Sequence, residues 1–487
     1  MLAIKDLFSL IHSLTKSEKR YFRLLTSFQQ GDKLYLQLFN TLEKFKKFDF
    51  QLQEELNVLF PYTSIEPARK HLYRLLMKSL RQYDSEKQID VRLFNLMQDS
   101  KILFTRGLID ASFEQLDKAK VLALQFERFL LFIQAARQEL QHLIQLQFEG
   151  LSEQQLIEKQ DKISELLEYE SRAHRHAALY EILLLRYWNN GAVRSLIDSI
   201  RLNDLLLEEH YILNSSRLQS FETHQLHLHF QSVYFLMAND VENSLKTFYE
   251  LDTLFKQNAH LWKDTPIYYF HLLHGILQTL RRMEHYEEMT YFLSQLTNIP
   301  NVSENLALVI KYQVLEHELY RAVNLKQTEQ TLKLIKTTTN EITQEVTRLP
   351  LQIQAQLWLT TSRAWYSAGD YTNALQAINQ ILSLPTNSYN RLLYVCCRLM
   401  NLLIHAALDN KDYLFYELRS IERKLKANYS LYKTEKLVIN LLKQWIKNMP
   451  LRSYLDDLNL LENDLYEQQL IKDLDLHKWV TSMIKKS

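Results

Sequence analysis

Apolar residues along this chain recur at intervals of three and four rather than two. Between Glu66 and Tyr83, Leu72, Leu75, Leu76 and Leu80 share one side of a helical projection, while Lys70, Arg74, Lys78 and Arg81 run along another. That is the 3.6-residue periodicity of an amphipathic α-helix. The pattern returns beyond Pro450, where Tyr454, Leu458, Leu461, Leu465 and Leu470 are separated by acidic residues and followed by Trp479 and a basic end. Helices are therefore predicted from one end of the chain to the other, with starts near Ser17 and after a Pro-containing loop, Phe60 to Pro67.

Composition sharpens this reading. Six glycines and seven prolines in 487 residues are too few for the connections of an antiparallel sheet or a nucleotide-binding α/β fold. Leu, Gln, Glu, Lys and Arg dominate, and these side chains lose little rotamer freedom in a helix. The length exceeds what one compact core fills, so an elongated array of helices is the alternative to several globular domains.

An internal period decides between them. Trp358, Ser362, Trp365, Gly369, Asp370, Tyr371, Ala374, Ile378 and Pro385 form one set of spaced positions. Leu228, Ser232, Phe235, Asn239, Asp240, Ser244, Phe248 and Leu251 repeat the layout, as do Leu96, Ser100, Leu103, Gly107, Ser112, Leu116 and Ala119. Two antiparallel helices need a small residue where they cross, here Ser362 against Ala374, and a tight turn between them, here Gly369-Asp370. Turns placed at Gly107, Gly150, Gly191, Asn239, Glu284, Lys326, Gly369 and Lys411 have a mean spacing of about 43 residues.

The 358–385 stretch resembles a tetratricopeptide repeat (TPR), departing from it at Thr361 and Ile381 and in placing Pro385 one position early. The resemblance covers residues 91–430. It implies an all-α, TPR-like α-solenoid, a right-handed superhelix of antiparallel helical hairpins, between an N-terminal helical domain (1–90) and a C-terminal helical cap (431–487). The segments Leu14 to Phe22 and Lys70 to Leu76 resemble a group of uncharacterised bacterial proteins, which implies a bacterial, cytoplasmic origin and no particular chemistry.

Charge adds little at the level of the whole chain, since 58 Lys and Arg face 57 Asp and Glu and no net field steers the protein to nucleic acid or an anionic membrane. Residues 1–90 are locally basic, with 15 Lys and Arg against 11 Asp and Glu. No segment has the apolar length of a membrane span: Leu392 to Leu408 is interrupted by Arg398, Asn401 and His405. Cys396 and Cys397 are adjacent on a helix, point apart and read as core residues of a reducing compartment.

Motifs for phosphate loops, dinucleotide binding, HExxH zinc sites and nucleophile elbows are missing from the sequence. Glu139 and His142 give one Glu-x-x-His pair, whereas a di-iron bundle needs two. His224, His227, His229, His271 and His274 tempt a metal reading, yet zinc needs three or four convergent ligands and no carboxylate or cysteine is obviously placed with them. No enzyme activity, cofactor or metal is therefore expected.

Binding is better motivated. The TPR resemblance implies a concave groove lined by the first helix of each hairpin. Its contact positions map here to His229, His274, Gln278, Arg281, Arg282, Glu316, Tyr320, Asn324, Arg363, Tyr366, Arg398 and Asn401. Arginine and tyrosine suit an acidic peptide or protein tail. The expectation is a cytoplasmic interaction scaffold, with no membrane association. The alternative is a regulator whose basic face, Lys70, Arg74, Lys78 and Arg81, touches nucleic acid or another effector while the repeats act as sensor.

Overall fold

The computed structural model describes residues 3–27, 34–60, 65–83, 88–214, 220–300, 303–385, 389–428 and 432–486. Among these residues the regular structure is entirely helical, twenty-five α-helices and one short 3₁₀ turn. None of the helices is long and apolar enough to cross a membrane. The chain divides into two compact units, Met1–Leu167 and Glu168–Ser487.

The first unit contains two hydrophobic clusters. Helices Ile4–Ser13, Lys16–Ser27, Leu34–Lys44, Phe50–Leu59 and Ile65–Tyr83 bury Leu7, Ile11, Phe22, Phe39, Leu52 and Leu72 together. The second of them starts one residue earlier than Ser17. Thr15 and Glu18 form a reciprocal cap there, Thr15 Oγ1 accepting from Glu18 N at 3.2 Å and Glu18 Oε2 accepting from Thr15 N at 2.7 Å. The predicted Phe60–Pro67 loop is shorter than expected, because Pro67 sits in the first turn of Ile65–Tyr83, where its missing N–H costs no helical bond. Residues 61–64 lie outside the described residues.

The second cluster of this unit joins helices Ile89–Thr105, Ile109–Gln125 and Phe129–Gln145 to the beginning of Glu153–Asn190 through Leu93, Leu116, Ala119, Ala135 and Leu166. Ser100 and Ser112 meet where the first two helices cross, both fully buried, and Ser112 Oγ donates to the Ser100 carbonyl at 2.9 Å.

In the second unit, successive helices pair across short turns: Phe221–Met237 with Val241–Gln257, Ile267–Met283 with Met289–Thr297, Glu304–Asn324 with Thr328–Glu345, Leu351–Ser367 with Tyr371–Leu382, and Arg391–Ala407 with Lys411–Asn428. The Ser100–Ser112 geometry recurs. Ser244 Oγ donates to the Ser232 carbonyl at 2.9 Å, and Ser362 Oγ donates to the Ala374 carbonyl at 2.8 Å.

Turn geometry follows the sequence positions closely. Gly107, Gly150, Gly191, Asn239, Glu284, Lys326 and Gly369 all have left-handed φ, between 57° and 83°. At Gly369 the Asp370 N–H closes back on the Trp365 carbonyl at 3.0 Å, and the Asp370 carboxylate then caps the next helix by accepting from Asn373 N. The last expected turn is misplaced by two residues: Lys411 begins a helix, and the left-handed residue is Asp409.

Tyr312, Trp358, Ile378, Cys396, Cys397, Leu441 and Trp479 belong to one continuous core cluster. Trp358 is buried and Trp365 half-buried against that core. Both cysteines are buried and unbridged, and burial pushes their thiols up, which suits packing rather than reactivity.

Candidate functional site

Within the second unit a cavity of about 590 Å³ opens between the helices Ile267–Met283, Glu304–Asn324, Leu351–Ser367 and Arg391–Ala407, closed further by Trp188 and by Gln469 and Asp473. Seven of the twelve residues mapped to a groove line it: His274, Gln278, Arg281, Arg282, Glu316, Tyr320 and Arg363. Helical spacing explains the grouping, since Gln278 follows His274 by four residues and Tyr320 follows Glu316 by four, so each pair shares a face.

The other five do not line this cavity. His229 is 1% exposed and packs against the rings of Tyr180, Phe255 and Tyr268. Asn401 is equally buried and donates to Tyr413 Oη at 3.0 Å. Arg398 pairs with Glu417 at 3.3 Å, Asn324 caps its own helix by donating to the Tyr320 carbonyl, and Tyr366 stands against Tyr371.

The cavity arginines differ sharply in their surroundings. Arg281 Nη1 donates to both oxygens of Glu316 at 2.8 Å, and Thr360 Oγ1 donates to Glu316 Oε1 at 2.8 Å. Burial would strip the charge from Arg281, but Glu316, Tyr320 and Asp473 outweigh it and hold the guanidinium pKa above its ordinary value. Arg282 donates to the Leu236 carbonyl at 3.0 Å. Arg363 makes no hydrogen bond or ion pair with any described residue. It is only 9% exposed, and its guanidinium carbon lies 4.9 Å from the Tyr320 ring centre, a cation–π contact.

A second unsatisfied group faces the same space. Gln313 is 3% exposed, lines the cavity, and its Oε1 has no hydrogen-bond donor. The histidines add no charge, because burial lowers His271 to about 4 and His274 to about 3. Three arginines thus face two carboxylates, Glu316 and Asp473, and one positive charge is in excess.

His274 is fixed in a directional chain. Tyr187 Oη donates to Gln278 Oε1 at 3.0 Å, and Gln278 Nε2 donates to His274 Nε2 at 2.8 Å. This places the His274 proton on Nδ1, 3.3 Å from His317 Nε2. Trp188, Tyr187 and Gln469 are distant in sequence from the repeat positions, and no spacing rule pointed to them.

The histidine cluster separates into different environments. His271 and His274 belong to the cavity, His229 is core, and His227 Nδ1 lies 2.9 Å from Glu209 Oε1, which also receives His176 Nε2 at 3.1 Å. Burial would raise the Glu209 carboxyl, but its bonds to His176 and His227 outweigh that and lower it. The Glu139–His142 pair is structural: Glu139 binds Lys120 and Lys159, and His142 stacks on Phe104.

In the first unit, Lys70, Arg74, Lys78 and Arg81 are all exposed along the Ile65–Tyr83 helix, opposite its buried Leu72, Leu75 and Leu76. None of the four forms an ion pair with a described residue.

The chain matches no protein-family model, no curated protein and no solved structure.

Proposed function

We propose that the chain is a non-enzymatic, TPR-like helical-repeat scaffold that takes an acidic peptide segment of a partner protein into the cavity of its second unit. The repeated serine crossings and left-handed turns support the α-solenoid reading with a period near 43 residues. The resemblance of the 14–22 and 70–76 segments supports a bacterial, cytoplasmic protein.

The observation that carries the proposal is Arg363. The Arg363 guanidinium lines the cavity with no acceptor among the described residues, so a ligand carboxylate there would gain a charge-assisted hydrogen bond. Gln313 Oε1 asks for the opposite, a donor. A ligand that carries both a carboxylate and an N–H answers both groups, as a peptide with an acidic side chain or a free C-terminus does. Glu316 accepts three hydrogen bonds and the His274 Nε2 lone pair accepts from Gln278, which suits a binding surface better than general acid–base chemistry.

Tagged native protein and the Arg363→Gln variant, exposed side by side to bacterial cytosol, test this reading by mass spectrometry of what co-purifies. A protein captured by the native chain and lost by the variant is expected. Equal capture by both removes the cavity from the account.

A second reading rests on the exposed, unpaired basic face of the first unit. It makes that helix a contact for nucleic acid backbone or another effector, with the repeats as sensor. Duplex DNA binding that weakens steeply with salt, and loses about one unit of salt slope for each of Lys70, Arg74 and Lys78 changed to Gln, is what it requires.

A further inference from the structure

In the second unit, the later part of Glu153–Asn190 and the helices Leu196–Asn214 and Phe221–Met237 bring His176, Glu209 and His227 to one point. All three ligand atoms lie within 4.8 Å of one another. Both imidazoles address the same carboxylate oxygen, Oε1, rather than dividing between the two, at 3.1 Å from His176 Nε2 and 2.9 Å from His227 Nδ1. Two ligand atoms of a tetrahedral zinc centre with bonds near 2.0 Å stand roughly 3.3 Å apart. The two histidine–carboxylate separations fall slightly short of that distance and would open by a few tenths of an ångström, and the two histidine nitrogens already lie within 4.8 Å of each other.

We propose that His176, Glu209 and His227 bind a single divalent transition-metal ion of the zinc class. Two imidazole nitrogens are borderline donors that, with one carboxylate, suit zinc and its neighbours rather than calcium or magnesium, which favour all-oxygen shells. The site is built into the core on two sides, with His176 2% and Glu209 1% exposed. The third side is open: the His227 side chain is 23% exposed, giving the ion an access route and leaving a fourth position for water.

Each ring donates to Glu209 without metal, so its proton lies on the nitrogen that faces the carboxylate. With metal, the tautomer shifts to place that proton on His176 Nδ1 and His227 Nε2, and the vacated lone pairs take the ion. The ion then replaces two hydrogen bonds with three bonds that join three helices.

Sequence reading stopped short here because the carboxylate is 18 residues from one histidine and 33 from the other. His227 belonged to the tempting histidine run, but its partners come from two helices before it.

The test uses the full-length chain freed of metal by a chelator and titrated with zinc against a chromophoric competitor, with metal content read by elemental analysis. One zinc per chain is expected, and cobalt(II) in its place should give the intense visible bands of four-coordination. His227→Ala and Glu209→Gln should weaken zinc binding by more than about 100-fold, beyond what changes in outer-shell partners produce. His285→Ala, which alters an exposed histidine paired with Glu288, should leave it unchanged. Zinc should raise the melting temperature of the native chain and not of His227→Ala. If Glu209→Gln does not fold, His227→Ala, at the partly exposed side of the site, decides alone. Zinc retained at far below one per chain, or taken up equally by native protein and His227→Ala, overturns the proposal.

Discussion

Arg281 and Arg363 share the ring of Tyr320, their guanidinium carbons 3.6 Å and 4.9 Å from its centre, but only Arg281 has a carboxylate partner. The two residues should therefore fail differently. Arg281→Met leaves Glu316, which is 1% exposed, as an uncompensated buried charge and should cost about 3 to 5 kcal/mol. Arg363→Gln removes only a cation–π contact and should cost about 1 kcal/mol or less. Urea unfolding of both variants measures the difference, and equal losses would contradict it.

Gly275 sits in mid-helix, where alanine is ordinarily better by about 1 kcal/mol. Here a Cβ would stand 2.6 Å from Phe248 Cε1, and Phe248 is itself buried. Overpacking should win, so Gly275→Ala should destabilise by about 1 to 3 kcal/mol. Combining it with Phe248→Leu should recover part of that loss. A double-mutant cycle reads the coupling, and strict additivity would show that the ring moves aside freely.

Arg194 joins chain segments far apart in sequence. Its Nη1 donates to Glu435 at 2.6 Å and its Nη2 to Glu467 at 2.8 Å, all three side chains nearly buried. Glu467 also accepts from Thr434 Oγ1 at 2.8 Å. Arg194→Met should cost about 3 to 5 kcal/mol by stranding two carboxylates. Differential hydrogen exchange should show the loss first in the helices Lys433–Ile446 and Gln468–Asp473. A variant as stable as the native chain would show that water already screens these charges.

Acid should weaken the fold in a defined window. Burial holds His229 and His274 at about 3 and His271 at about 4, against 6.5 for a free imidazole. Below about 6.5 the unfolded chain therefore binds protons that the folded chain refuses, so stability falls with pH from about 6.5 to about 3 and is flat just above neutrality. Urea midpoints across that range check the sign. Midpoints that rise on acidification would contradict it.

The sequence was informative where contacts are local. Ser362 and Ala374, Ser232 and Ser244, and Ser100 and Ser112 each lie 12 residues apart across one turn, a distance that helical periodicity reads directly. It also grouped His274, Gln278, Glu316 and Tyr320, because residues four apart share a face. It did not distinguish Arg281 from Arg363, because what separates them is the position of Glu316 on the helix that lies between them in sequence. Nor did it see that His229 and Asn401 turn inward, since facing is set by the neighbouring helix and not by the repeat itself. Trp188 and Asp473 reach the cavity from beyond any repeat spacing.

The most direct test of the central claim is the affinity of native and Arg363→Gln protein for an array of short peptides, acidic and neutral, with free and amidated C-termini. The account predicts that acidic or free-carboxylate peptides bind the native chain and lose about 10- to 100-fold in affinity with Arg363→Gln, the worth of a charge-assisted hydrogen bond. Peptide binding that ignores charge, or that is the same in both proteins, would contradict it.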